Sequence, residues 1–574
     1  MEQALAEREV RRWAGEALWE GFQAASRTVE VTTSEGTSFL ATGHARTELA
    51  FEVSLRPEQL RRFRLQMERD RVVWKGVPPW TEPSQLLPQT LIQQRLSPGQ
   101  QPLVELGPQL LLAGADDRRP VLPEPLSLAT VARPPALEER LFFSRFLRDE
   151  GANPNSLSSQ HWGVIAPRGS AGDALLEAIR PLIDLRANEQ GAPVHVYRVT
   201  TSGGIAEAND WMRNEYYSEG ASDVDRPSYL LILGDLADVS AELQQRLGAS
   251  AFVGRLCFDS TAGYRSYVEK VLRSENAPSK RDARALFFTT HDGSRATSIG
   301  YHSLIIPALE RCDGLKHDYP VVRDVLEVGS PEDWSAQRLL AAVRDDHPSI
   351  LFTLSHGLGP PRGGWASSEM RRLLQGALAF GPEEPLTAEC VAQGPFLPSG
   401  AWFFLACLSA GTPARSAYRP WLVRLKASGE YAGRVADVVS ALPAHGEAPF
   451  IAALPRAALS NPEGPLAIIG HLDLAWTYSF QDPYGARRSQ RFVELIRQLW
   501  TGRRVGVATK ALLRHAAETE AELLGLAQIE VEVGEREPPP PEAVHRGHLW
   551  MARHDLVGYV LLGDPAVRVA PARD

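Results

Sequence analysis

Cysteine is scarce in this sequence: Cys257, Cys312, Cys390 and Cys407 are the four in 574 residues. So few cannot form a disulfide scaffold, and with no C-x-x-C pair they do not supply a structural zinc cage, so reduced thiols are expected. Long apolar runs are missing as well. None approaches the roughly 18 residues that would suggest a membrane span. The opening residues, MEQALAEREVRRW, carry charge where a secretory leader needs an apolar core. A cytoplasmic protein without a membrane span is therefore the expectation. Nor is there an excess of positive charge. Lys and Arg number 61 against 70 Asp and Glu, a formal net charge of -9, which offers no global basic field to a nucleic acid.

Several chemistries are absent by motif. GLGPPRGG at 357–364 is glycine-rich but lacks the spacing and the lysine of a P-loop, and no G-x-G-x-x-G stands between a strand and a helix. Ser409 lies in CLSAG, whereas an α/β-hydrolase elbow needs G-x-S-x-G. There is no H-E-x-x-H, and the scattered histidines define no metal site. No period of 20 to 50 residues repeats, which argues against a solenoid.

What is present is a regular alternation. A chain of 574 residues is too long for one ordinary core. Leu5, Val10, Ala14, Leu18 and Phe22 are spaced for one helix face. TVEVTTSEG and TSFLATGH at 28–45 read as a hairpin, LAFEVSL at 49–55 as a further strand, and 57–68 as a helix. Residues 72 to about 135 are proline-rich, with small strands and irregular connections expected. No chemistry attaches to this region, which is either a small N-terminal α+β domain or an extension of the core. The polar, turn-rich stretch EGANPNSLSSQ at 150–160 marks a boundary. Beyond it, strands (161–167, 194–199, 229–234, 251–256, 283–290) alternate with helices (173–186, 204–217, 266–275). That pattern implies βαβ units and a mainly parallel sheet. The expected domains are 1–150, a first α/β subdomain at 151–330 and a second at 331–574. The connection 379–400 is expected to be a surface loop, and the chain to finish with a strand, a turn at Gly563-Asp564-Pro565 and a short last strand.

The chemistry concentrates between Ile350 and Thr412. ILFTL at 350–354 runs into Ser355-His356-Gly357, and AWFFLA at 401–406 into Cys407-Leu408-Ser409. If these apolar runs are parallel neighbours, His356 and Cys407 face one crevice, because ligand sites of open α/β sheets lie at the carboxyl ends of strands. A cysteine attacks as thiolate and is mostly protonated at neutral pH, so a nearby imidazole that takes its proton completes a nucleophilic pair. Gly357, without a Cβ, lets a carbonyl approach its N–H. With the N–H of Cys407 it would form an oxyanion site. His291-Asp292 and His471-Leu472-Asp473 also follow apolar strands. Asp292 or Asp473 in the crevice would pair with a basic side chain, with Trp365 or Trp476 covering its aliphatic part. The alternatives are a helix cap or turn for each aspartate and core or surface packing for each tryptophan. Cys257, beside a strand in RLCFDS, is read as a small buried side chain.

These residues resemble the caspase-like clan of cysteine peptidases, and more narrowly the gingipain-type family. The resemblance runs over about 160–570. It is carried by YLLILGDLADV at 229–239, VGRLCFDSTAGYRSYVEKVLRSE at 253–275, ALFFTTHDG at 285–293, LFTLSHG at 351–357, WFFLACLSAG at 402–411 and YVLLGDPAVRV at 559–569. CLSAGT is also similar to CHAT-type caspase-like domains. The resemblance implies a caspase-like α/β/α sandwich with a mainly parallel sheet. It assigns His356 as catalytic histidine, Cys407 as nucleophile and Gly357 as oxyanion contributor. It implies an endopeptidase that needs no cofactor for its chemistry and acts on protein or peptide substrates. A basic residue on the acyl side, an activating partner protein, and a structural or activating calcium with no ligands assigned are further implications. Limited proteolysis in a bacterial, defence-like setting would fit a chain without a leader. The competing expectation is a noncatalytic scaffold that keeps the fold.

Overall fold

The structure is a computed structural model. It describes strands within residues 28–74, residues 109–122, 124 and 126, and residues 153–569 apart from 201–202, 219–225, 277–282, 317–321, 346, 363, 382, 430–433, 444–445 and 534–539. The chain divides into two compact units, one of Met1–Gly107 with Gln481–Arg487, the other of Pro108–Phe480 with Arg488–Asp574. In the first unit the anticipated hairpin is present. Thr28–Thr33 pairs antiparallel with Ser38–Gly43, Phe51–Val53 adds to the second of these and Val72–Trp74 to the first. The helices expected at 1–25 and 57–68, and the boundary at 150–160 as far as 152, lie outside the described residues.

The second unit is built on one ten-stranded sheet. In chain order its strands are β1 (Trp162–Pro167), β2 (His195–Val199), β3 (Tyr229–Leu233), β4 (Phe252–Leu256), β5 (Ala283–Thr289), β6 (Val322–Glu327), β7 (Ser349–Leu354), β8 (Ala401–Leu405), β9 (Ala467–His471) and β10 (Tyr559–Gly563). In space the order is β6-β5-β7-β8-β9-β10-β4-β3-β1-β2. Every adjacent pair is parallel except β9 with β10. The sheet therefore consists of two parallel halves running in opposite directions, joined at that single antiparallel seam.

The strand sequences explain their position. β3 (YLLIL), β7 (SILFTL) and β8 (AWFFL) are buried along their whole length, as expected for parallel strands covered on both faces. Alternate residues serve different layers. Val164, Leu231 and Leu233 join a core with Leu176, Leu182, Tyr264 and Val268, whereas Ile165, Leu230 and Ile232 join another with Ala208, Met212, Leu243 and Leu247. Helices cover both faces, so the fold is the α/β/α sandwich with a mainly parallel sheet.

The structure departs from the expected elements in places. The helix of 173–186 is two, Ser170–Ala178 and Arg180–Gln190, separated where Pro181 near the second N-terminus removes a backbone donor. The expected loop 379–400 contains a strand pair, Leu378–Phe380 with Glu383–Leu386, and a short helix, Ala388–Ala392, because Leu386, Val391 and Phe396 are buried. Helix Pro540–Gly558 begins within the proline run Pro538–Pro541. Among the described residues no strand follows the Gly563-Asp564-Pro565 turn. Among the described residues no helix is long and apolar enough to cross a membrane.

Candidate active site

β7 and β8 are in-register parallel neighbours, Leu354 opposite Leu405. His356 and Cys407 each lie two residues beyond that pair, so the sheet delivers both to one edge. An aromatic layer holds the register. Phe352 stacks on Phe403 at 4.7 Å with the rings 5° apart, and Phe403 meets Tyr559 and Phe492 at 5.3 and 5.5 Å. Trp402 also donates its indole N–H to Thr353 Oγ1 at 2.9 Å.

Gly357 is required by proximity. A Cβ there would overlap the Cys407 carbonyl oxygen and lie 3.2 Å from its nitrogen. Only glycine lets the two backbones approach so closely. The consequence is that two amides converge: the N–H groups of Gly357 and Cys407 both donate to one acceptor, the carbonyl oxygen of Leu111, at 2.9 and 3.3 Å. Two backbone donors on one carbonyl oxygen, beside a cysteine, form the geometry of an oxyanion site. Leu408, directly after the cysteine, has a φ of 58°, a left-handed conformation uncommon for a residue with a side chain. Its N–H donates to Asp473 O at 2.9 Å, which fixes the turn.

His356 is 1% exposed. Its Nε2 lies 2.9 Å from Ser294 Oγ and 3.4 Å from Asp292 Oδ2. Asp292 is in turn held by the Thr297 hydroxyl at 2.7 Å and the Ser294 amide at 3.0 Å. Ser294 and Thr297 stand at the start of helix Arg295–Gly300, where Ser294 is the N-cap, so a capping network also orients the imidazole. With Nε2 engaged on this side, the partners assign its proton there. Nδ1, which is buried and accepts no hydrogen bond, is the nitrogen left to exchange a proton. Burial pushes the His356 pKa below its ordinary value, opposed by the Asp292 carboxylate and by the Leu111 main chain. Burial likewise pushes the Cys407 thiol well up, with the Asp555 and Asp473 charges adding to this and the backbones of Ala475 and Leu111 opposing it. Cys407 Sγ accepts from the Ala475 amide at 3.2 Å.

Of the proposed pocket residues, the structure gives Asp292 a different position, behind the histidine. Its carboxylate is taken up by Ser294, Thr297 and His356. Asp473 is near Cys407, but its carboxylate accepts from Ser416 Oγ, Ala417 N and Leu474 N at 2.7, 2.9 and 2.8 Å. Burial raises its pKa to about 6. Both groups close turns or caps, the alternative that each motif offered. Trp476 is fully buried, packed against Tyr418 and Trp421 at 5.7 and 5.9 Å. Its amide is held by Asp555 at 2.9 Å. Trp365 donates to Gln375 at 2.9 Å. Asp555 and Leu111 escaped the sequence reading. Asp555 sits in a helix, Pro540–Gly558, whose proline-rich start obscured it, and Leu111 lies in a stretch with no periodic signal. Among the described residues no group of three or more His, Cys, Asp or Glu side chains could hold a metal ion.

Fold and site together define an α/β protein in which a buried histidine and a buried cysteine follow neighbouring parallel strands and two backbone amides converge on one carbonyl oxygen. No protein-family model matches the chain, and no curated protein matches it in sequence. Solved structures do. The Arg-specific cysteine proteinase gingipain R (RgpB) is similar at 13% identity and a TM-score of 0.41, over 73% of this chain and 80% of that one. A structure described as a protease has 13% identity and a TM-score of 0.40, over 71% and 78%. The complex of the Porphyromonas gingivalis RgpB pro- and mature domains has 12% identity and a TM-score of 0.37, over 71% and 79%. At such distances the chemistry is argued from the site itself.

Proposed function

We propose that the chain is a cysteine endopeptidase. The observation that supports this best is the convergence of the Gly357 and Cys407 amides on one carbonyl oxygen, beside a thiol and an imidazole whose far nitrogen is oriented by Asp292 and Ser294. Cys407 Sγ attacks the scissile carbonyl carbon and passes its proton to His356 Nδ1. The C–S bond forms, the oxyanion accepts from the two amides, and the C–N bond breaks as Nδ1 returns the proton to the leaving amine. Water then attacks the thioester, with Nδ1 taking its proton. The acid product leaves and the thiol is restored. No cofactor enters these steps. Limited cleavage of partner proteins within the cell, triggered by an activating protein or by calcium, is the biological setting we assign.

The test maps new amino termini across a proteome after adding wild-type protein or Cys407→Ala, each with and without calcium and native cell extract. Cuts made only by the wild type and sharing one acyl-side residue are expected. Identical termini in all arms, from folded protein, would move the reading to a noncatalytic scaffold or to an enzyme still without its activator.

A further inference from the structure

The oxyanion site is occupied by the chain's own backbone, and the surrounding contacts extend in both directions. On the amino-terminal side, Gln109 donates its N–H to Thr477 Oγ1 at 3.2 Å. Leu110 forms an antiparallel bridge with Trp476, and Leu111 donates its N–H to Ala475 O at 3.4 Å. The Leu111 carbonyl then enters between the Gly357 and Cys407 amides. On the carboxyl-terminal side, Leu112 and Ala113 run parallel to Gly357 and Leu358, and Ala113 O accepts from the Gly359 amide. This is how an extended peptide is bound by β-augmentation, with main-chain bonds on both sides of the bond to be attacked. Leu110 and Leu111 are 1% and 0% exposed. Of the carboxylates around the cleft, Asp292 and Asp473 accept from internal donors, and Asp555 accepts from the Trp476 amide and stands 3.3 Å from His471 Nε2.

We propose that residues 109–113 are an internal substrate analogue: they fill the Cys407 cleft in the register of a bound peptide with Leu111 as the acyl residue, and the site takes extended peptides with an aliphatic residue at that position. The word substrate rests on the peptidase reading above. An incoming peptide must first displace this segment. Its selectivity follows from the same arrangement, since the Leu111 side chain is fully buried and an arginine in its place would have to bury a charge there.

The test measures alkylation of Cys407 in the full chain by iodoacetamide, read residue by residue by mass spectrometry, with exposed Cys390 and buried Cys257 and Cys312 as internal references. Leu110→Asp with Leu111→Asp makes the segment costly to bury and should accelerate Cys407 labelling at least about 10-fold. Gln109→Pro removes one donor and should accelerate it about 2- to 10-fold. Cys390 should not change. If Cys257 and Cys312 become reactive too, the double variant has unfolded and Gln109→Pro decides. In the opened variant a Gln-Leu-Leu chloromethyl ketone should label Cys407 about 10-fold faster than Gln-Leu-Arg chloromethyl ketone. An unchanged Cys407 rate in folded variants, or preference for the arginine reagent, overturns the proposal. Labelling reports access and not turnover. Leucine-selective labelling without any peptide cleavage would sink the peptidase reading and leave the cleft assignment standing.

Discussion

The two halves of the sheet each end a buried strand in a cysteine, and only one of them stands in the candidate site. Cys257 follows β4 and Cys407 comes two residues after β8. Because the halves run in opposite directions across the β9–β10 seam, the two thiols lie toward opposite sheet edges. Burial pushes both thiols up, so burial is not what distinguishes them. At Cys257 the Asp235 and Asp259 charges push the thiol further up while Arg456 and Arg255 oppose them, and the residue lines a cavity with Asp238 and Arg456. Cys407 has Gly357 against its backbone and an amide converging with its own. A strand-end cysteine becomes a candidate nucleophile through what the neighbouring strand brings to it.

The largest break in this contrast comes from the cysteines themselves. Cys407→Ala should lower kcat/KM on a cleaved peptide by at least about 10,000-fold. Cys257→Ala should leave turnover within about 2-fold and change thermal stability only modestly. Next comes Gly357→Ala, which should cost about 100- to 1,000-fold in kcat, because the new Cβ must push the Cys407 backbone and one oxyanion donor aside. Steady-state kinetics beside a melting curve measures both. Asp292→Asn should be milder, about 10- to 100-fold in kcat. It carries a sign. The Asp292 charge raises the His356 pKa, so its removal lowers that pKa and moves the acidic limb of the pH–rate profile to lower pH. A limb that stays in place, or shifts upward, would detach Asp292 from the histidine.

The smallest effect concerns Asp473. Its folded pKa is raised from 3.8 to about 6, so the native state holds a proton that the unfolded chain has released over that interval. Stability contributed by this group is present below about pH 4 and falls as pH rises toward 6. Asp473→Asn should flatten that decline in denaturant titrations across the window, and an unchanged slope would show that another group is responsible.

How much of this could be read from the sequence follows from the kind of signal each part carries. β7 and β8 are unbroken apolar runs, and a buried parallel strand has no other way to look. His356, Gly357 and Cys407 were legible because they end such runs. β6, with Arg323, Asp324 and Glu327, is an edge strand whose polar face hides it. The strand His356–Leu358 is only three residues long, and its partners come from residues 112–113 and 378–379. Pairing across such separations leaves no local pattern. Asp292 was legible as a strand-end acid open to either a crevice or a cap, and the cap formed by Ser294 and Thr297 places it beside the imidazole. The role of Leu111 rests wholly on contacts more than two hundred residues away, which periodicity cannot report.

The seam strand also governs the order in which the chain can assemble. β10 lies between β9 and β4, and just beyond it Asp564 accepts from the buried Arg186 guanidinium at 2.8 and 3.0 Å. During synthesis both halves emerge from the ribosome well before residue 559, each with an inner edge still unpaired. Until the seam strand arrives, those edges are open to strands of other chains. A nascent chain halted before β10 would therefore be a natural client for a chaperone.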